Sequence, residues 1–129
     1  MKPVHAIVAL MLAVPFAANA SAPQKTIPAA FQGMWEMDID DCANVESGTR
    51  VVVHANSISY FEEGDTVVSV TPRGPDSIDL VVDYENYDGS ERLNRTLTLS
   101  DNGETLTFSY DDGAKYVHTR CPQGDPHVE

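Results

Sequence analysis

Two cysteines, four histidines and twenty acidic residues are the side chains of this 129-residue chain with nucleophilic, metal-binding or acid–base chemistry to offer. Their spacing withholds most of it. Cys42 and Cys121 lack the C-x-x-C separation of a redox-active pair. His118-x-x-Cys121 has the spacing of half a zinc site, but no second pair completes it, and His54 has no partner histidine at ligand distance. His5 and His127 fall at the two ends. For calcium, "DIDDCA" lacks a glycine at the sixth place and "DYENYDGSE" puts tyrosine at the fifth. Neither a nucleophile elbow, a phosphate loop nor H-E-x-x-H occurs. Twenty acids guarantee that some carboxylates approach one another, so a glycosidase-like pair has no diagnostic value. The expectation is a protein with no catalytic residues, no metal and no cofactor.

Arg95 is the residue out of place. It shares a face with Leu93, Leu97 and Leu99 in "ERLNRTLTLS", where an unpaired charge would be very costly. Either it reaches the rim or pairs with an acid such as Asp83 or Glu85, or it is a lumen cation and a possible contact for an anionic ligand. Asn94-Arg95-Thr96 also fits the glycosylation sequon, but within a strand we read it as coincidence.

The elements that must position these residues are strands. "TRVVVH" (49–54), "SISYF" (57–61), "TVVSVT" (66–71), "SIDLVVDY" (77–84), "ERLNRTLTLS" (91–100), "TLTFSY" (105–110) and "KYVHTRC" (115–121) are separated by turn-forming residues. Ile78, Leu80, Val82 and Tyr84 alternate with polar neighbours, as do Leu106, Phe108 and Tyr110, the period of a sheet with one face packed. Asn102-Gly103 and Asp112-Gly113 are hairpin dipeptides that tolerate positive φ. Asp40 or Asp41 is placed to cap one helical turn through "CANVE". With Phe31–Met37 the count is about eight short strands joined by hairpins. Closing them removes both edges, which predicts an all-β, small antiparallel up-and-down β-barrel, with a two-sheet sandwich as the alternative.

Residues 1–20 read as a signal peptide: a lysine, an apolar stretch to Phe16, then "AANA" with small residues at the cleavage positions. Cleavage after Ala20 makes Ser21 the mature N-terminus and predicts an exported protein, periplasmic or extracellular. The expected layout is an N-terminal segment 21–30, one barrel domain 31–121 and a flexible tail 122–129. Export makes a Cys42–Cys121 disulfide the default, and closing a loop of about 80 residues contributes ~4 kcal/mol by chain entropy. Without Lys2 the chain carries 7 basic and 20 acidic residues, a net charge of −13. That disfavours nucleic acid and anionic membranes, and it suits a cationic or secreted protein partner. No membrane insertion is expected, and a monomer is.

"IPAAFQGMW" carries a resemblance. Gly33-Met34-Trp35 resembles the G-x-W opening of the calycin barrels, which include the lipocalins and the small bacterial metalloproteinase inhibitors. The layout is also similar to small secreted proteins of Gram-negative bacteria with an early tryptophan and cysteine and a terminal arginine–cysteine. The resemblance implies that the tryptophan closes one barrel end and that Arg120, in "HTRC", packs across the indole. A guanidinium on an indole gains about 1 kcal/mol when shielded, and Gly33 would permit the close approach. Alternating strands put the ends of the first and last at opposite rims. The disulfide therefore needs either one hairpin fewer or more than counted, or a short first strand with "DIDDC" turning back. Four acids in six residues make a poor strand and favour the turn.

Three functions compete. The first is a non-enzymatic binding module. So small a barrel leaves little room inside, so its contacts would fall on the open rim, on "DIDD" and "EEGD" and on exposed Tyr84 and Tyr87. The second is an inhibitor of a secreted protease or lysozyme. The metalloproteinase inhibitors insert a free N-terminus that begins with serine, which maps onto Ser21, Ala22 and Pro23. The third is a small-ligand carrier with Arg95 and the inner aromatics as its pocket.

Overall fold

The computed structural model describes residues 23–122. The expected signal peptide, Ser21 and Ala22, and nearly all of the expected C-terminal tail lie outside the described residues. Eight antiparallel strands close into a barrel in sequence order. They are β1 (Gly33–Glu36), β2 (Val51–Val53), β3 (Ser57–Ser59), β4 (Gly64–Pro72), β5 (Ser77–Asn86), β6 (Gly89–Leu99), β7 (Thr105–Tyr110) and β8 (Lys115–Arg120). Closure is made by β1 on β8, with Trp35 opposite Arg120.

Alternation decides which side chains fill the lumen. Leu80, Val82, Leu97, Leu106 and Phe108 point inward and are fully buried, while on the outer face Thr96 donates to Asp79 and Thr98 meets Ser77. The cross-strand register, Ile78 to Leu97 and Leu97 to Phe108, places like with like on the inner face. Each large aliphatic or aromatic side chain buried there contributes about 2 kcal/mol relative to exposure. One bulge, at Val67/Ser69, shifts the register of β4. It lets Val67 and Val70, three apart, both join the core.

β4 outruns β3, and its uncovered edge is taken by the N-terminal segment. Gln24 and Val70 exchange two backbone hydrogen bonds of 2.6 and 2.7 Å, and Ile27, bonded through its amide to Ala55, is buried in the core. The segment is thus part of the barrel, and the domain begins earlier than Phe31.

The lower end is closed as the resemblance implied. Trp35 is completely buried and donates through Nε1 to the Phe31 carbonyl at 3.1 Å. The Arg120 guanidinium lies 4.1 Å from the indole centroid. It donates to the carbonyls of Gly103, Gln32 and Ala30 at 3.1, 2.9 and 2.7 Å. One planar fork thereby ties the first 3-10 turn (Ala29–Phe31) and the β6–β7 connection onto the indole. Gly33 lies against the guanidinium, where a Cβ would sit 3.4 Å from Arg120 Nη1, and its φ of +122° is a second reason for glycine.

β1 is only four residues long, and the chain then folds back in a 3-10 turn (Ile39–Ala43). This brings Cys42 against Cys121 on the outer wall, where the disulfide forms with Met34 and Val52 packed around it. The turn is capped by Asp38, which accepts from the Asp40 amide, rather than by Asp40 or Asp41. Arg50 holds its far end, donating to the carbonyls of Asp41, Cys42 and Asn44 and pairing with fully buried Glu36 at 3.0 Å. Glu36 also accepts from Ser47 and Thr49. The acids of "DIDDC" are thus a capped turn.

The hairpin dipeptides differ in detail as well. Only Gly103 and Gly113 have positive φ. Asn102 and Asp112 stay at negative φ and instead accept, through Oδ1, from the amides of Glu104 and Ala114.

Candidate functional site

The lumen is packed at the Trp35 end and opens at the other, against the expectation of an interior with little room. Between the β3–β4, β5–β6 and β7–β8 turns lies a cup of about 590 Å³. Four tyrosines wall it: Tyr60 follows β3, Tyr84 stands on β5, Tyr110 ends β7 and Tyr116 belongs to β8. Each has the inward parity of its alternating run and lies toward the open end of its strand, which is why all four line one cavity. Leu93 and Ala114 add apolar surface, and Glu63, Asp111 and Asp112 stand at the rim.

Arg95 forms the floor. It faces inward as its sequence parity required, but it pairs with neither Asp83 nor Glu85. Asp83, on the outer face of β5, takes Arg92 at 2.9 Å, and Glu85 is exposed. The partner is Asp65. Its carboxylate receives Arg95 Nε at 3.2 Å and Nη2 at 3.4 Å, and the Tyr60 hydroxyl donates to it at 2.6 Å. Both charged side chains are withdrawn from water, at 0% and 6% exposure. The guanidinium also lies 4.7 Å from the Tyr110 ring and 5.6 Å from Tyr84. Arg95 is therefore not a bare lumen cation.

The proton affinities follow from this burial. Burial pushes Asp65 above the ordinary carboxylate value, and the hydrogen bonds and charge of Tyr60 and Arg95 reverse that only in part. Tyr60 is pushed far up by burial and by the negative charge of Asp65. Tyr84 is raised by the neighbouring Glu63 carboxylate and then by burial, and Tyr110 is raised mainly by burial. All three phenols remain neutral donors over the physiological range.

Several sequence expectations meet corrections here. Asp65 lies in "EEGD", which has the composition of an acidic turn, but it is the second residue of β4 and points inward opposite Tyr84. Its signal was parity, since it lies two residues before lumen-facing Val67. Tyr84 is a wall of the cup and not an exposed aromatic, whereas Tyr87 is 86% exposed at the β5–β6 tip. Pro23 is exposed, one residue before the pairing that holds Gln24 to β4. His118 sits in the core, edge-on to Phe108 at 5.0 Å, with a buried Nδ1 that has no hydrogen-bond partner. Cys121 is committed to the disulfide, so the two make no metal pair. Among the described residues no group of three metal-ligating side chains converges.

No protein-family model matches this chain, and none of the curated proteins or solved structures compared with it does either.

Proposed function

We propose that this is an exported, non-enzymatic, calycin-like binding barrel that acts as a monomer and engages its ligand in the tyrosine-walled cup. The observation that carries the reading is the contrast between the two ends. One is sealed by Trp35 under Arg120, and the other holds a cavity within the size range of small-molecule sites, with polar groups converging on its floor. The disulfide and the signal-peptide pattern of residues 1–20 support export, and no helix among the described residues is long and apolar enough to cross a membrane. Among the functions weighed, the small-ligand carrier fits this geometry best.

The inhibitor reading has one observation of its own. Phe61 and Tyr87 are exposed, at positions flanked by Glu62, Glu63 and Glu85, a surface suited to a basic protein.

The test is an NMR fragment screen on isotope-labelled mature protein. Shift changes should cluster on Tyr84, Leu93, Tyr110 and Tyr116. A library that leaves these residues unmoved, or whose hits map only to the outer wall, would refute the cup as a binding site.

A further inference from the structure

We infer that the cup takes a small organic cation, a primary ammonium or amidinium on an apolar stem. This rests on the cup being the binding site. Among the described residues Arg95 is the only basic one lining the cavity, and its charge is already met by buried Asp65. Its Nε and Nη2 are engaged by that carboxylate, and Nη1 faces the Asn94 carbonyl at 3.5 Å. An anion entering the cup would have to displace a buried carboxylate, and would first pass Glu63, Asp111 and Asp112. These three leave the mouth with a net negative charge.

The rim acids keep that charge after their structural work. Asp111 accepts from the Asn94 amide and Asp112 from the Ala114 amide, each through a single oxygen. Beneath them the walls are π faces. Tyr84 and Tyr110 already hold one guanidinium, that of Arg95, which demonstrates that rings in this cup serve as cation partners. Tyr116 stands edge-on to Tyr110 at 5.7 Å and lines the same cavity above the floor. Leu93 and Ala114 supply the apolar contact for a stem. Aromatic walls, carboxylates at the mouth and a neutralised floor together recognise a positive head on an oily body.

Three isosteric probes separate the possibilities: phenethylammonium, phenylacetate and 2-phenylethanol, titrated by NMR and calorimetry at pH 7 in low salt. The ammonium should bind at least about tenfold more tightly than either analogue, with its shifts on Tyr110 and Tyr116, and should weaken several-fold at about 0.5 M salt. Glu63→Gln with Asp112→Asn keeps the hydrogen-bond acceptors while removing two charges. It should cost roughly tenfold for the ammonium and leave 2-phenylethanol unchanged. Asp101→Asn, at the far end of the barrel, serves as the control and should change nothing. Equal or tighter binding of phenylacetate or 2-phenylethanol in the cup overturns the cation and leaves the binding site standing. If none of the three moves the cup, the cation falls. The binding site falls with it only if the fragment screen also leaves the cup silent.

Discussion

Removing either member of the Asp65–Arg95 pair should be far more damaging than removing both. Each side chain is almost fully withdrawn from solvent, so a single deletion leaves an uncompensated buried charge, a loss of about 3–5 kcal/mol. Arg95→Met is the more informative variant, because it leaves Asp65 with only the Tyr60 hydroxyl. Burial already raises the affinity of Asp65 for a proton in the native protein, and loss of the guanidinium raises it further. A carboxyl whose folded pKa exceeds its unfolded value of 3.8 is at its most favourable below that value. Its contribution is lost as pH rises through the folded pKa. Relative to the native protein, Arg95→Met should thus be strongly destabilised at pH 7 and recover as pH falls toward 4. Asp65→Asn keeps an acceptor for Tyr60, strands Arg95, and should show no such recovery. Asp65→Leu with Arg95→Met replaces both ions by apolar groups and should lie within about 1–2 kcal/mol of the native protein. Urea unfolding followed by Trp35 fluorescence between pH 4 and 8 reads all three. Single losses below about 1 kcal/mol that simply add in the double variant would refute the reasoning. So would an Arg95→Met penalty that does not change with pH.

Reducing the Cys42–Cys121 bond, or replacing both residues by serine, should lower stability by roughly 4 kcal/mol, given the 79-residue separation. Urea midpoints with and without reductant check this, and near-native ligand shifts in the cup would show that the barrel itself survives. Arg120→Lys keeps the charge but cannot reach three carbonyls and cover the indole together. It should cost about 2 kcal/mol and alter the Trp35 emission. For His118, burial holds the pKa below its ordinary 6.5, so its contribution is complete above that pH and is lost as pH falls toward the folded value. Replacing it with phenylalanine should remove this acid-side loss, visible as a flatter melting temperature between about pH 6.5 and 5. That trend is opposite in sign to the one expected of Arg95→Met.

Much of the fold was legible because alternation and turn residues are local. The period-two pattern of β5, β6 and β7 placed Ile78, Leu97 and Phe108 inside, and eight hairpin-linked strands have few ways to cover two edges. The Trp35–Arg120 closure was expected from the resemblance, and the disulfide because two cysteines in a chain read as exported pair by default. The candidate site was half legible. Arg95 announced itself by its parity, but its partner did not. Asp65 is thirty residues away, and a turn-rich context made it resemble one more solvated acid.

The sequence by itself determined the strand count and the lumen face, which follow from periodicity and from side chains too apolar to be left in water. The pair at the sealed end was expected from the G-x-W resemblance. Only the tertiary structure decided that four tyrosines from four strands wall one cup and that Asp65 neutralises Arg95. It also decided that the cup is open and acid-rimmed. Inter-strand register brings these residues together, and register is a relation between segments that no single stretch encodes.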